Sequence, residues 1–155
     1  MEDKITKSVI VKADIKDVYN AWSNFENFPL FMKNIKSVEK IDHKTSHWVM
    51  QGPMGVNVEW EAETTAMDED KRVGWSTKDN QEGNLTTSGQ VTFNPLPHNE
   101  TEVVATVHYK VRAGVPGEVV GRMFGDPEGR LEEDLMNFKN YIEGRIDRTN
   151  FPERS

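Results

Sequence analysis

The sequence predicts an α+β fold in which a curved, seven-stranded antiparallel sheet wraps around a long C-terminal helix. Apolar and polar residues alternate from Ile35 to Val111, which is the period of a strand, and apolar residues recur at helical spacing after Pro127. Valine also outnumbers leucine by sixteen to five, and β-branched side chains favour sheets. Two short helices are predicted between the first strand and the other six.

The N-terminal segment predicts one strand and then those two short helices. Lys4–Lys12 alternates between an apolar and a largely polar face. Asp14 is predicted to be the N-cap of the first helix, because its side chain can accept a hydrogen bond from a free backbone amide. Asn24 ends that helix, and residues 25–32, which contain Pro29, predict the second.

Six strands joined by short polar turns are predicted next. The turns are rich in Gly, Asn, Asp and Pro, as hairpin connections are. Short connections between successive strands predict an antiparallel meander. The predicted strands are Lys36–His43, Ser46–Gln51, Val56–Ala66, Arg72–Thr77, Asn84–Asn94 and Thr101–Val111.

The C-terminal part predicts a long amphipathic helix. Asp126 and Pro127 are suited to its N-cap and first turn. Its apolar stripe consists of Leu131, Leu135, Phe138, Ile142 and Ile146. A shorter helical stripe, formed by Val119, Val120, Met123 and Phe124, precedes it. We therefore expect one domain over residues 1–148 and a frayed tail over residues 149–155.

Composition excludes several classes of protein. The net charge of −7 and the lack of a basic stripe disfavour binding to nucleic acid. Zero cysteines exclude a disulfide scaffold and a thiolate metal site. No apolar run approaches the roughly 20 residues that cross a bilayer, so no stable membrane insertion is expected. The N-terminus lacks the apolar core of a secretory signal, and we expect a cytoplasmic protein.

Eight segments in order along nearly the whole chain carry a family resemblance. They are FENFPLFM at 25–32, SVEKID at 37–42, HWVMQGPMG at 47–55, VEWEAE at 58–63, VGWST at 73–77, GQVTF at 89–93, TEV at 101–103 and EDLMNFKNYIEG at 133–144. Together they resemble the polyketide cyclase/dehydrase (coenzyme-Q-binding-like) branch of the START-like, or SRPBCC, helix-grip superfamily. The resemblance implies a helix-grip fold. Because this superfamily includes lipid carriers, hormone receptors and aromatases, it implies no single activity.

A cavity is expected inside the curved sheet, since seven strands and one helix do not fill it completely. Strand parity and helical spacing give its lining. The predicted lining residues are Phe28, Phe31, Met32, Trp48, Met50, Val58, Trp60, Trp75, Val91, Phe93, Val107, Tyr109, Phe124, Leu131, Leu135 and Phe138. Each of them could instead belong to a packed core. A cavity below about 300 Å³ favours a filled core, because ligand pockets are generally larger.

Few polar groups are predicted on this lining. Tyr109 and the indole N–H groups of Trp60 and Trp75 are the candidates to orient a ligand, and Thr64 and Thr77 are weaker ones. Strand parity places no Arg, Asp or His inward, which disfavours acid–base catalysis and leaves the catalytic residues unassigned. The histidines are not spaced as metal ligands, and no nucleotide-binding motif is present, so neither metal nor cofactor is expected.

The sequence therefore predicts a protein that binds a hydrophobic small molecule, which the resemblance implies to be lipid-, quinone- or polyketide-like. An enzyme of the cyclase or dehydratase type that uses the same cavity is the first alternative. A domain with a filled core that acts through protein contacts is the second. The oligomeric state is left open.

Overall fold

The computed structural model describes residues 2–51, 57–77, 85–111 and 127–149, with side chains for 4–51, 57–77, 87–108 and 128–144. Its elements follow the predicted order. They are β1 (Glu2–Val11), α1 (Ile15–Ser23), a 3₁₀ helix (Phe25–Leu30), β2 (Ile35–Lys40), β3 (Thr45–Gln51), β4 (Asn57–Asp68), β5 (Arg72–Thr77), β6 (Leu85–Leu96), a 3₁₀ turn (Pro97–Asn99), β7 (Glu100–Val111) and α2 (Pro127–Thr149). The predicted Val119–Phe124 stripe, Asp126 and residues 150–155 of the tail lie outside the described residues.

The described strands form one antiparallel sheet in the order β1-β7-β6-β5-β4-β3-β2. The predicted meander from β2 to β7 is confirmed, and β1 pairs with β7 through a register that sets Ile5 opposite Val107. The strand ends differ from prediction by up to three residues, most at β2, which ends at Lys40 instead of His43. That end is set by a turn in which Asp42 accepts hydrogen bonds from the amides of Lys44 and Thr45, at 2.8 Å each.

The two short helices are present as predicted, but their caps differ. Asp14 occupies the N-cap position of α1, yet its side chain makes no capping hydrogen bond. Asn24 ends α1 and starts the 3₁₀ helix, where its side-chain oxygen accepts from the amide of Glu26 at 3.2 Å. The change from α to 3₁₀ geometry lets Phe25 and Phe28 both point into the core.

Helix α2 lies against the inner face of the sheet, which is the face that carries the core. Leu135, Phe138 and Ile142 on its apolar stripe are each at most 2% exposed. Leu131 is half-buried at the edge of the core. Lys7 on β1 forms ion pairs with Glu128 and Glu132 in the first turns of α2, at 3.4 Å each. This arrangement is the α+β helix-grip architecture that the sequence predicts.

Alternation in the strands separates the inner face from the outer face. In β4, Trp60 and Ala62 are buried while Glu59 and Glu63 are exposed. The pairing of β4 with β5 shifts by one residue between Thr64 and Ala66. Such a bulge bends the strand and increases its twist, which helps the sheet to curve around α2.

The two outer strands, β1 and β2, would otherwise present unpaired backbone groups. The carboxylate of Glu143 on α2 accepts from the amide of Lys12, just beyond β1, at 2.9 Å. Lys139 donates to the carbonyl of Ile10 at 3.2 Å and forms an ion pair with Glu143. At the other edge, Glu26 accepts from the amide of Lys40 on β2 at 3.1 Å. Side chains thus form hydrogen bonds with backbone groups at both edges of the sheet.

Candidate functional site

A cavity lies between the inner face of the sheet, α1 and the first turns of α2. Its volume is about 160 Å³. The described residues that line it are Ile5, Trp22, Met32, Asn34, Ile35, Trp48, Met50, Trp60, Trp75, Thr87, Val91, Ala105, Val107, Arg130, Leu131 and Asp134. Most of these side chains are apolar, and the polar ones are Asn34, Thr87, Arg130 and Asp134.

All four tryptophans of the chain line this cavity. Trp48 stacks with both of the other strand tryptophans, with ring centroids 5.8 Å from Trp60 and 5.7 Å from Trp75 and interplanar angles of 26° and 29°. Trp22 comes from α1 and contacts Phe138 of α2 at 4.9 Å between ring centroids. These rings give the cavity an aromatic lining, and aromatic rings can stack on a planar ligand.

The predicted lining residues separate into three groups. Those on the cavity are Met32, Trp48, Met50, Trp60, Trp75, Val91, Val107 and Leu131. Those that the structure places elsewhere among the described residues are Phe28, Phe31, Phe93, Leu135 and Phe138, packed in the core, and Val58, which is half-buried. Tyr109 belongs to β7, opposite Asp3 and Thr87, but its side chain is not described, and Phe124 lies outside the described residues.

Some of the core residues pack against the side chains that line the cavity. Phe28 contacts Trp48 at 5.3 Å and Trp75 at 5.7 Å between ring centroids. Phe93 instead meets Tyr19 of α1 edge-on at 6.0 Å. Helix α1 therefore covers the inner face at Phe93, and the cavity is confined to the remaining part of that face.

The indole N–H groups have different environments. Trp48 donates to the hydroxyl of Ser46 at 2.8 Å. The buried N–H groups of Trp22 and Trp60 have no hydrogen-bond partner among the described residues. The Thr77 hydroxyl donates to the carbonyl of Thr87 at 2.9 Å and accepts from its amide at 2.8 Å, so it is engaged by backbone.

Asn34, Arg130 and Asp134 add an amide, a guanidinium and a carboxyl group to the cavity lining, and we call these three residues the polar end. Arg130 and Asp134 are one turn apart on α2, so they lie on the same side of the helix. An ion pair of 3.0 Å between Lys33 and Glu133 holds the segment before β2 against this turn of α2. The backbone carbonyl of Asn34 accepts from the amide of Gln51 at 2.8 Å, which fixes its position at the cavity.

Among the described residues, Asp134 is the titratable group whose pKa is most changed by its surroundings. Burial raises its pKa from 3.8 to about 7, and the negative charge of Glu133 adds to this increase. Arg130 and Lys33 lower the pKa but do not offset the effect of burial. A carboxyl group in this range can donate a hydrogen bond when protonated and gain or lose a proton near neutral pH.

The expectation that no Arg or Asp faces inward is corrected by this polar end. The expectation came from strand parity alone, whereas Arg130 and Asp134 lie on α2. Each immediately precedes a residue of the apolar stripe, Leu131 or Leu135, and therefore borders that stripe on the helix surface. A charged i, i+4 pair beside an apolar stripe is the signal that could have identified them.

The residues that the structure describes contain no cluster of three or more His, Cys, Asp or Glu side chains able to hold a metal ion. His47 lies in β3, where its Nε2 is 2.9 Å from an Oε atom of Glu59 on the neighbouring strand. Within the same described part, no helix is long and apolar enough to span a membrane.

Comparison with known proteins places this chain in a family. The family described as polyketide cyclase / dehydrase and lipid transport matches residues 11–136. The chain belongs to that family. A curated relative, an uncharacterised 17.2 kDa protein of Streptomyces lincolnensis, is 32% identical over 142 residues, which are 92% of this chain and 91% of the relative.

Solved structures share the architecture. A protein of Deinococcus radiodurans is 30% identical, with a TM-score of 0.73 over 92% of this chain and 98% of its own. The ZhuI aromatase/cyclase of a Streptomyces species has a TM-score of 0.74 at 15% identity, over 94% of this chain and 96% of its own. A START superfamily protein of Mycobacterium smegmatis has a TM-score of 0.71 at 17% identity, over 91% and 97%. The last two likenesses show the fold alone.

Proposed function

We propose that this protein binds a small, apolar, ring-bearing molecule in the cavity. The observation that carries the proposal is the combination of a tryptophan-rich wall with the charged groups of the polar end. Arg130 and Asp134 both line this space beside the indoles, and charged side chains are seldom fully buried in a core that serves packing alone. Membership of a family described by polyketide cyclisation, dehydration and lipid transport supports the same proposal.

The volume of the cavity limits the size of the ligand that can bind. About 160 Å³ is below the 300 Å³ expected of an ordinary ligand pocket, so the volume criterion by itself favours the filled core over a site for a large ligand. The cavity is close to the volume of roughly 150 Å³ at which an apolar cavity accepts a benzene-sized molecule. A ligand of one or two rings therefore fits this cavity better than a long-chain lipid, which would require the cavity to enlarge.

A cyclase or dehydratase is the second candidate function. The polar end favours it, because such reactions need a group that exchanges a proton inside an apolar site. Asp134 has that property, with a pKa of about 7, and Arg130 could stabilise an oxygen on which negative charge develops. In this candidate, Asp134 is the acid–base group and Arg130 the electrostatic one.

The first experiment is native mass spectrometry of the purified protein, followed by organic extraction. A stoichiometric bound molecule would support the binding proposal and identify its chemical class. If the mass is that of the chain alone, titration with the neutral two-ring fluorophore 2-naphthol decides. Saturable binding near one equivalent supports a ligand site, whereas no binding favours the filled core and a role in protein contacts.

Two variants test whether the fluorophore binds in the cavity. Trp60→Phe changes the wall of the cavity, and Ile41→Ala removes an apolar side chain that is 53% exposed, away from it. We expect the first to weaken fluorophore binding and the second to leave it unchanged. Equal effects of the two variants would mean that the fluorophore binds elsewhere.

A further inference from the structure

We propose that the ion pair between Lys33 and Glu133 closes the entrance to the cavity, and that its separation admits a ligand. We call these two residues the entrance pair. The Lys33 Nζ and Glu133 Oε1 atoms are 3.0 Å apart. The part of this inference that concerns a ligand rests on the proposed function, whereas access to the cavity can be measured without a ligand.

The entrance pair joins two chain segments that both line the cavity. Lys33 lies between Met32 and Asn34, which are lining residues before β2. Glu133 lies next to Asp134 on α2, and Asp134 also lines the cavity. The ion pair therefore connects one part of the cavity lining to another that is distant in sequence.

The exposure of the lining residues locates the entrance at these two segments. Most of the described lining residues are buried, and the strand residues among them belong to a hydrogen-bonded sheet. The partly exposed ones are Met32, Asn34, Ile35, Val107, Arg130, Leu131 and Asp134. All of these except Val107 lie on the two segments that the entrance pair joins. Among the described residues, a ligand therefore reaches the cavity most directly between these segments.

Other contacts hold α2 in place on either side of the entrance. Lys7 on β1 forms ion pairs with Glu128 and Glu132, at 3.4 Å each. Further along the helix, Phe138 packs on Phe31 with ring centroids 5.1 Å apart. The helix therefore stays docked when the entrance pair separates, and only its turn at the entrance needs to move.

The entrance pair is exposed, so its attraction slows opening without preventing it. The side chains of Lys33 and Glu133 are 67% and 47% exposed. Exposed ion pairs change an equilibrium by up to about fivefold. Salt screens such pairs, since the Debye length is only about 3 Å at 1 M ionic strength. Opening of the cavity is therefore expected to increase with ionic strength.

Acrylamide quenching of tryptophan fluorescence measures access to the cavity without a ligand. All four tryptophans line the cavity, and each is at most 5% exposed, so the quencher has to enter the protein to reach them. Lys33→Gln removes the ion pair and should raise the quenching constant by about two- to fivefold. At about 1 M salt the wild type should approach the variant, whose own quenching constant should stay the same.

Charge reversal distinguishes loss of the ion pair from other effects of the substitutions. Lys33→Glu places two carboxylates opposite each other and should raise the quenching constant further than Lys33→Gln does. Adding Glu133→Lys restores opposite charges, and the double variant should return to the wild-type value. Glu132→Gln is the matched control, because Glu132 is a neighbouring exposed acid on α2 that pairs with Lys7 instead. It should leave quenching unchanged.

Stopped-flow fluorescence of 2-naphthol then tests the entrance as the route of a ligand. A closed entrance slows entry and exit alike. Lys33→Gln should therefore raise the association and dissociation rate constants by the same factor and leave Kd unchanged. A residue that only shaped the cavity would change Kd instead.

Each result has a defined meaning. Equal quenching of the wild type, Lys33→Gln and Lys33→Glu would overturn the inference, and so would a double variant that behaves like Lys33→Glu. If 2-naphthol binds with the same rate constants in the wild type and Lys33→Gln, the entrance pair does not control the route of the ligand, and the proposed function stands. If quenching responds as expected but 2-naphthol binds to none of the proteins, the entrance stands and the proposed function is overturned.

Discussion

The indole of Trp75 occupies the space in which a side chain of Gly89 would lie. The two residues are partners across the β5–β6 pair, and a Cβ at Gly89 would overlap ring atoms of Trp75. Glycine at this position therefore lets the Trp75 ring lie across the neighbouring strand. In that position Trp75 both stacks on Trp48 and faces the cavity.

Gly89→Ala should destabilise the protein and displace Trp75. Overpacking a buried site costs about 1–3 kcal/mol, because rings or backbone must shift to make room. Urea unfolding measures this loss. Gly144→Ala is the matched control, since a Cβ there meets nothing within 4 Å and alanine favours a helix. A Gly89→Ala variant as stable as the wild type would contradict the described position of the Trp75 ring.

Trp60→Ala should lower the affinity of an apolar ligand strongly. The indole of Trp60 is 4% exposed and forms one end of the stacked series with Trp48. Because removing a large core side chain costs about 3–5 kcal/mol of stability, fluorophore titration should follow a check of folding by circular dichroism. Unchanged binding by the folded variant would show that the ligand does not contact this wall.

Asp134 should make stability depend on pH in a defined direction. The pKa of Asp134 is raised to about 7 in the folded protein. The contribution of Asp134 to the free energy of unfolding is therefore fully present below about pH 4, and it is lost as pH rises through 7. Asp134→Asn cannot ionise and should be more stable than the wild type at pH 8, by about 2 kcal/mol after allowance for partial exposure. Near pH 4 the difference should vanish.

Urea unfolding at both pH values measures that difference, and Glu132→Gln serves as the control for loss of a negative charge on α2. A stability gain of Asp134→Asn that is the same at pH 4 and pH 8 would show that ionisation of Asp134 is not its cause.

Glu143→Ala should loosen the junction between α2 and the edge of the sheet. Burial opposes ionisation of Glu143, but hydrogen bonds from Lys139 and from the amide of Lys12 prevail and lower its pKa. Its stabilising effect is present at neutral pH and is lost as pH falls through that lowered pKa. We expect a loss of about 1 kcal/mol at pH 7.

Hydrogen exchange of the Lys12 amide is the specific measurement, and it should become faster in the Glu143→Ala variant. Glu128→Ala is the control, because Glu128 pairs with Lys7 and contacts no described backbone amide. If both variants leave exchange at Lys12 unchanged, the carboxylate of Glu143 does not protect this edge.

Much of the fold could be predicted because its signals are local. The alternation in β4 identifies Trp60 and Ala62 as inward residues without reference to the rest of the chain. The same alternation places Phe93 inward, but it cannot reveal that Tyr19 of α1 covers that position. Facing the core and facing the cavity are therefore different properties, and the second depends on how distant elements pack.

The polar end could be predicted less well, for a related reason. Arg130 and Asp134 border an apolar stripe. Their position on the helix surface does not show whether they face solvent or line a cavity. That distinction depends on the segment before β2, where Lys33, 100 positions earlier in the chain, forms an ion pair with Glu133 of the helix. Contacts of this kind carry no periodic signal in the sequence.

The stacked indoles are also an intrinsic spectroscopic probe of the cavity. The chain has four tryptophans, all on the cavity, so excitation of tryptophan yields an emission signal without background from elsewhere in the molecule. The ring centroid of Trp48 lies within 6 Å of those of two stacked neighbours, close enough for their electronic transitions to couple and to produce a paired band in near-ultraviolet circular dichroism. A ligand that separates these rings would abolish the band, and its arrival could be followed in real time without any dye.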